Sequence, residues 1–217
     1  MTLESTKIRL VMELRQQGIT DKAVLSAIER VPREAFVPET FHDQAWENTA
    51  LPIGHGQTIS QPAVVAFMTQ ALELGPRMKV LEIGTGCGYQ AAVLAQLCRR
   101  IYTVERYREL LREAEARFRR LRLNNITTRW GDGAKGWPEQ APFDRIIMTA
   151  AAQSVPETLF EQLGEDGLLI APVGRTSYEQ VLMRYRKKAD SLENEELWPV
   201  RFVPLIEGTV DANGQAR

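Results

Sequence analysis

The chain has 217 residues, 27 Lys and Arg against 28 Asp and Glu, and a net charge of −1. That length suits one domain with a substantial core, and the even charge balance argues against a general nucleic-acid binder. Two cysteines and two histidines make neither a disulfide framework nor a zinc site, no stretch is apolar over the width of a bilayer, and Lys7 and Arg9 lead into no signal core. The expectation is a soluble cytoplasmic monomer with no metal, no membrane and no nucleic-acid partner.

In chain order, Ile8, Val11, Met12 and Arg15 set a helical pattern that Gly18 closes. Asp21 can cap a second helix, with Val24, Leu25 and Ile28 on one face and Pro32 beyond its end. Residues 36–60 read as one irregular stretch, and a loop that long inside a compact domain is usually functional. It ends in Gln57-Thr58-Ile59-Ser60-Gln61-Pro62, and a helix follows with Val64, Val65, Met68 and Leu72 on its apolar side. Ser60 has two compatible readings. It is a helix N-cap with a proline in the first turn, or a hydroxyl at a helix start that receives an anion.

Residues 80–90, Val-Leu-Glu-Ile-Gly-Thr-Gly-Cys-Gly-Tyr-Gln, join a buried parallel strand to a glycine-rich turn and an Ala/Leu-rich helix expected over 90–97. A second strand over 100–104 ends at Glu105. Residues 108–121 carry Leu110, Leu111, Ala114, Phe118 and Leu121 at helical spacing, a core-facing stripe. A third strand, 126–130, runs into Gly131-Asp132-Gly133, a fourth covers 143–149, and a fifth covers 167–173. Between the last two, Val155, Leu159, Phe160 and Leu163 suggest a helix closed by Gly164. Strands alternating with helices argue for a doubly wound, mostly parallel α/β sheet. After it, 179–186 and 200–206 read as two strands joined by a charged turn over 187–196, forming a β-hairpin edge. The tail from Asp211 reads as frayed.

Glycine turns of this kind hold nucleotides, and two acids suggest which. Glu82 places a carboxylate beside the turn, and Tyr89 stands where a dinucleotide fingerprint has its third glycine. A pyrophosphate is repelled by a neighbouring anion, whereas a ligand with a cationic head is attracted. S-adenosyl-L-methionine carries an ammonium and a sulfonium and no phosphate. Glu105, roughly 20 residues past the turn, suits an acid that accepts from ribose hydroxyls. Asp132 is either a turn aspartate or an acceptor for the adenine amino group. Without Glu82 and Glu105 the glycines would signify only a tight strand–helix connection.

Together the 57–62 segment, the 80–90 turn, Gly131-Asp132-Gly133, Phe143-Asp144 with Thr149-Ala150-Ala151, and Val200-Arg201-Phe202-Val203-Pro204-Leu205 resemble the motif set of protein-L-isoaspartate O-methyltransferases. They occur in order over 31–208. The resemblance implies a Rossmann-like sheet of the class I S-adenosylmethionine-dependent methyltransferase type with an N-terminal helical cap. Its parts would be cap and substrate loop over 1–60, cofactor core over 61–175, C-terminal strands over 176–208 and a tail over 209–217. It implies methyl transfer to the free α-carboxylate of L-isoaspartyl residues in damaged proteins and peptides, leaving S-adenosyl-L-homocysteine. The ester then cyclises to a succinimide, whose hydrolysis returns some normal aspartate.

Carried over by position, Ser60 is the active-site serine, and Gln57, Thr58 and Ile59 border cofactor and substrate. Glu82, Gly84, Thr85 and Gly86 flank the methionine end, Glu105 the ribose, and Asp132 with Gly133 the adenine. Cys87 departs from the family's usual serine and would make the turn oxidisable if exposed. The Phe202–Val203 region is expected to pair with an extended peptide. The rivals are a small-molecule or RNA methyltransferase, a dehydrogenase, and a non-catalytic cofactor-binding module that recognises proteins. Nitrogen methylation of bases commonly uses a polar Asn/Asp-Pro-Pro-aromatic clamp after the fourth strand, and Thr149-Ala150-Ala151-Ala152 offers none.

Overall fold

The computed structural model describes residues 3–176 and 178–216. Two helices, α1 (Leu3–Gln16) and α2 (Lys22–Arg30), lead into a small antiparallel hairpin, β1 (Leu51–Gly54) and β2 (Gln57–Ile59), and then α3 (Pro62–Ala71). A seven-stranded sheet follows, made of β3 (Lys79–Ile83), β4 (Arg100–Glu105), β5 (Ile126–Trp130), β6 (Phe143–Met148), β7 (Leu163–Val173), β8 (Gln180–Lys187) and β9 (Leu192–Val200). Its spatial order is β5-β4-β3-β6-β7-β8-β9, parallel from β5 to β7 and antiparallel at β8 and β9. Helices α4 (Tyr89–Leu94), α5 (Arg108–Arg120) and α6 (Glu157–Glu161) fill the crossovers. The expected doubly wound α/β sheet with a helical N-terminal cap and a hairpin edge is therefore present.

Alternation along the strands builds two cores. Val80 and Ile101 face the helical cap, whereas Leu81, Ile83 and Val104 face the layer containing Val155 and Leu159. The order reverses at β3, with β4 on one side and β6 on the other. Such a switch point leaves a crevice beyond the carboxyl ends of the strands.

Several elements differ from their sequence readings, each for a physical reason. In α1 the buried residues are Leu10 and Leu14, while Ile8 and Met12 are 51% and 57% exposed. Both stripes have helical spacing, and only the packing partner selects one. Helix α4 ends at Leu94, short of the expected 97, and Asn125 Nδ2 donates to the carbonyls of Ala95 and Cys98 beyond its end. All six of its residues are buried between sheet and cap, which explains an apolar composition all round. Helix α6 ends at Glu161, and β7 begins at Leu163 rather than at Gly167.

The largest difference is at the edge. Half of the charged stretch expected to be a turn, 192–196, belongs to β9, and 201–206 is not a strand. Glu193 and Glu195 lie opposite Arg186 and Arg184, and Glu195 pairs with Arg184 at 2.5 Å. An outermost strand with its face in water tolerates such charges, so they hid its identity. The tail is likewise anchored. Val210 N–H donates to Arg106 O at 2.8 Å, Arg108 N–H donates to Val210 O, and Asp211 accepts from the N–H groups of Asn213 and Gln215. Its last residue, Arg217, lies outside the described residues.

Candidate active site

The glycine turn hangs over the end of β3. Gly84, Gly86 and Gly88 all have positive φ, at 98°, 53° and 93°. Gly84 allows no side chain, since a Cβ there would meet Thr149 Oγ1 at 2.4 Å. Thr149, just past β6, donates that hydroxyl to Gly84 O at 2.6 Å and Ile83 O at 3.0 Å, pinning turn to sheet. Gly88 is required from the other side, because a Cβ would come within 2.6 Å of Phe118 on α5.

Glu105 ends β4 and closes the turn. Its Oε2 accepts from Gly86 N–H at 2.8 Å and its Oε1 from Tyr107 N–H at 2.9 Å. Burial raises its pKa, and these backbone N–H groups oppose the rise.

The β1–β2 hairpin approaches from the cap side. Ile53 lies 3.5 Å from the position a Gly86 Cβ would take, and at the tip His55 Nε2 sits 3.1 Å from Glu109 Oε2. The His55 and Tyr107 rings are 5.5 Å apart. This clamp holds β2, and with it Gln57, Thr58, Ile59 and Ser60, across from the glycine turn. The third wall is 202–206. Gln180 grips it through Phe202 N–H (2.6 Å) and Phe202 O (3.1 Å), and Ala151 exchanges backbone hydrogen bonds with Val203 and Leu205.

A cleft of about 900 Å³, including its open mouth, lies between these walls. Gln57, Thr58, Ile59, Ser60, Gly84, Thr85, Gly86, Glu105 and Gly133 all line it, so nine of the residues singled out in sequence converge. Ser60 is half-buried and is not the helix cap. That place belongs to Gln61, with Pro62 in the first turn, which leaves the serine hydroxyl outside the capping bonds.

Two acids are placed differently. Asp132 caps the short turn at Gly133–Lys135, its Oδ1 accepting from Ala134 N–H at 2.9 Å, and Gly133 rather than Asp132 is on the lining. Glu82 does not stand beside the cleft as a fixed anion. It is fully buried under α4, and burial pushes its pKa up to about 8, so in the ligand-free fold it is largely neutral at pH 7. Alternation carries it to the same face as Val80, away from the turn's open side, which one-dimensional spacing did not reveal. Cys87 is 4% exposed and burial raises its pKa, so it is not an activated thiolate.

Sequence reading missed Arg106, Tyr107 and Thr149, all on the lining. The first two simply follow Glu105, and a window continued past the strand end would have found them. Thr149 was visible as a polar residue closing an apolar strand.

The lining has Thr58, Thr85, Thr149 and Ser60 hydroxyls, the Glu105 carboxylate, apolar Ile83, Val104 and Leu205, and one cation, the Arg106 guanidinium. A pyrophosphate finds no ring of free N–H groups, because Gly86 N–H is already spent on Glu105. A nucleoside with an uncharged ribose and a zwitterionic or cationic tail does fit. With the sheet reversing beside this cleft, the molecule belongs to the class I S-adenosylmethionine-dependent methyltransferases.

Residues 5–210 match the family described as Protein-L-isoaspartate(D-aspartate) O-methyltransferase (PCMT). The chain is 61% identical over 207 residues to the Protein-L-isoaspartate O-methyltransferase of Parvibaculum lavamentivorans, covering 94% of this chain and 93% of that one. It superposes with a TM-score of 0.83 and 30% identity on a solved protein-L-isoaspartate O-methyltransferase, over 91% of this chain and 65% of that longer one. A Plasmodium falciparum protein-L-isoaspartate O-methyltransferase solved in complex with S-adenosyl-L-homocysteine gives 0.78 and 25%, over 91% and 97% of the two chains. The chain belongs to the protein-L-isoaspartate(D-aspartate) O-methyltransferase family.

Proposed function

We propose that this protein transfers the methyl group of S-adenosyl-L-methionine to the free α-carboxylate of L-isoaspartyl residues in damaged proteins and peptides. The resulting ester cyclises to a succinimide, whose hydrolysis returns part of the population to aspartate. The observation that carries this reading is Ser60, a half-buried hydroxyl relieved of capping duty, facing the glycine turn across the cleft at the start of α3.

The acceptor is a carboxylate with an ordinary pKa near ~4, so it arrives ionised and needs no general base. No histidine lines the cleft, in keeping with that chemistry. The bound cofactor supplies a methyl group activated by a positive sulfur. The chain supplies placement. Gly84, Thr85 and Gly86 would hold the methionine end, Glu105 the ribose and Gly133 the adenine edge. We keep Asp132 as a partner for the adenine amino group through the carboxylate oxygen that does not cap the turn. Ser60 would hold the acceptor carboxylate, helped by the positive end of α3. Alignment of this kind contributes up to ~7–11 kcal/mol. The apolar wall from Phe202 and Leu205 keeps water from the reacting anion.

The test is methyl transfer from labelled S-adenosyl-L-methionine to an isoaspartyl peptide and to its aspartyl counterpart. A base-labile ester on the first alone supports the reading. Cofactor binding with no transfer to either overturns it in favour of a binding module. Beyond the chemistry, we read the chain as a cytoplasmic monomer whose partners are its damaged substrates, without nucleic acid or membrane. Its net charge of −1 supports the reading without nucleic acid, and among the described residues no helix is long and apolar enough to cross a membrane.

A further inference from the structure

Glu82 is a fully buried acid that the transfer chemistry leaves unexplained. It sits on β3 directly opposite Thr103 on β4, both on the face covered by α4. Thr103 Oγ1 donates to Glu82 Oε2 at 2.5 Å, and Thr103 Oγ1 lies 2.6 Å from Thr85 Oγ1. Thr85 lines the cleft. Glu82 Oε1 is buried with no hydrogen-bond partner. The result is a chain, Glu82–Thr103–Thr85, running from a sealed carboxyl group to the wall of the cofactor cleft.

Such a chain has two directions. When Glu82 is ionised it only accepts. Thr103 must then donate to it, Thr85 must donate to Thr103, and the Thr85 oxygen shows lone pairs to the cleft. When Glu82 carries a proton it can donate to Thr103, Thr103 to Thr85, and Thr85 shows a proton to the cleft. The titratable groups facing Glu82 are the Glu105 carboxyl from β4 and the Cys87 thiol from the glycine turn, while α4 contributes the Ala91 backbone N–H and β6 the apolar Ile147. None of these is a cation, so without a ligand the protonated direction is favoured.

We infer that Glu82 is a positioning residue for the cationic end of the cofactor, acting through Thr103 and Thr85 and releasing its proton when that end binds. The inference rests on the cofactor reading above. In the step, the Glu82 O–H bond breaks and its proton moves to Thr103. The Thr103 proton moves to Thr85, and the Thr85 proton passes to water at the cleft. Three O–H bonds break and three form, and the carboxylate keeps the electron pair. The cleft then meets a positive ligand with an oxygen lone pair backed by a buried negative charge. The same sequence in reverse restores the neutral acid when the ligand leaves.

The experiment is calorimetric titration of the full chain with S-adenosyl-L-homocysteine and S-adenosyl-L-methionine at pH 7, in buffers of different ionisation heat. The expected result is release of close to ~1 proton per ligand, and an apparent affinity that rises about tenfold per pH unit between pH 6 and 7. Both effects vanish in Glu82→Gln, and in Thr85→Val, which cuts the chain at the cleft and decides the matter alone if the first variant does not fold. Zero proton release by the wild-type chain, or release unchanged in the variants, overturns the inference. If the ligand binds and isoaspartyl peptide is methylated without proton release, only this inference falls. If neither ligand binds, the cofactor reading itself falls.

Discussion

At Ser60, placement decides function. Its hydroxyl is not committed to the first turn of α3, so on the proposed reading Ser60→Ala would remove a substrate contact rather than a structural one. We expect turnover of an isoaspartyl peptide to fall by about tenfold or more, with S-adenosyl-L-homocysteine affinity within a factor of about two. Steady-state kinetics and calorimetry check both, and turnover that survives within twofold contradicts the role. Gly84 is constrained twice, by a φ of 98° and by Thr149 Oγ1 at 2.4 Å from any Cβ. Gly84→Ala should destabilise the chain by about 1–3 kcal/mol and weaken cofactor binding, as denaturant unfolding and ligand titration will record. At this scale the convergence of Ser60, Gly84 and Glu105 on one cleft was readable from residue type and local turn. It was unreadable at Glu82, whose meaning depends on which face of the sheet it occupies and on a threonine 21 positions away.

Among elements, the segment 202–206 depends on one side chain. Gln180 satisfies both the N–H and the carbonyl of Phe202, within a buried patch. Gln180→Leu orphans both, which costs about 1–3 kcal/mol, and frees the cleft wall. A several-fold rise in peptide KM larger than any loss of cofactor affinity is the expected kinetic signature. The β/α alternation was legible because buried parallel strands such as β3 and β6 are continuous apolar runs. The β1–β2 hairpin was not, for its strands have four and three residues and are flanked by Gly54 and Gly56. Such short strands leave no periodic signal, and it is the bond between His55 and Glu109, distant in sequence, that fixes them over the cleft.

For the molecule as a whole, the buried Glu82 links stability to pH. Between 4.5 and about 8 the unfolded chain has lost a proton that the folded, ligand-free protein keeps. Its stability therefore falls as pH rises through that window, by at most ~1.4 kcal/mol per unit from this group. Thermal melts from pH 5 to 8 should show a decline that Glu82→Gln flattens. Saturating S-adenosyl-L-homocysteine acts in the opposite sense. At a hundred times Kd it adds ~2.7 kcal/mol, roughly 5–10 °C in Tm for a domain of this size.

An enzyme that repairs aged proteins works among frayed and partly unfolded chains, all of them seeking a strand to pair with. Its own outermost strand, β9, presents Glu193, Glu195 and Glu196 along one half and Pro199 near its end. Carboxylates repel an incoming backbone edge, and proline withholds a donor from it. The β9 edge is thereby blunted against pairing with the enzyme's own clientele.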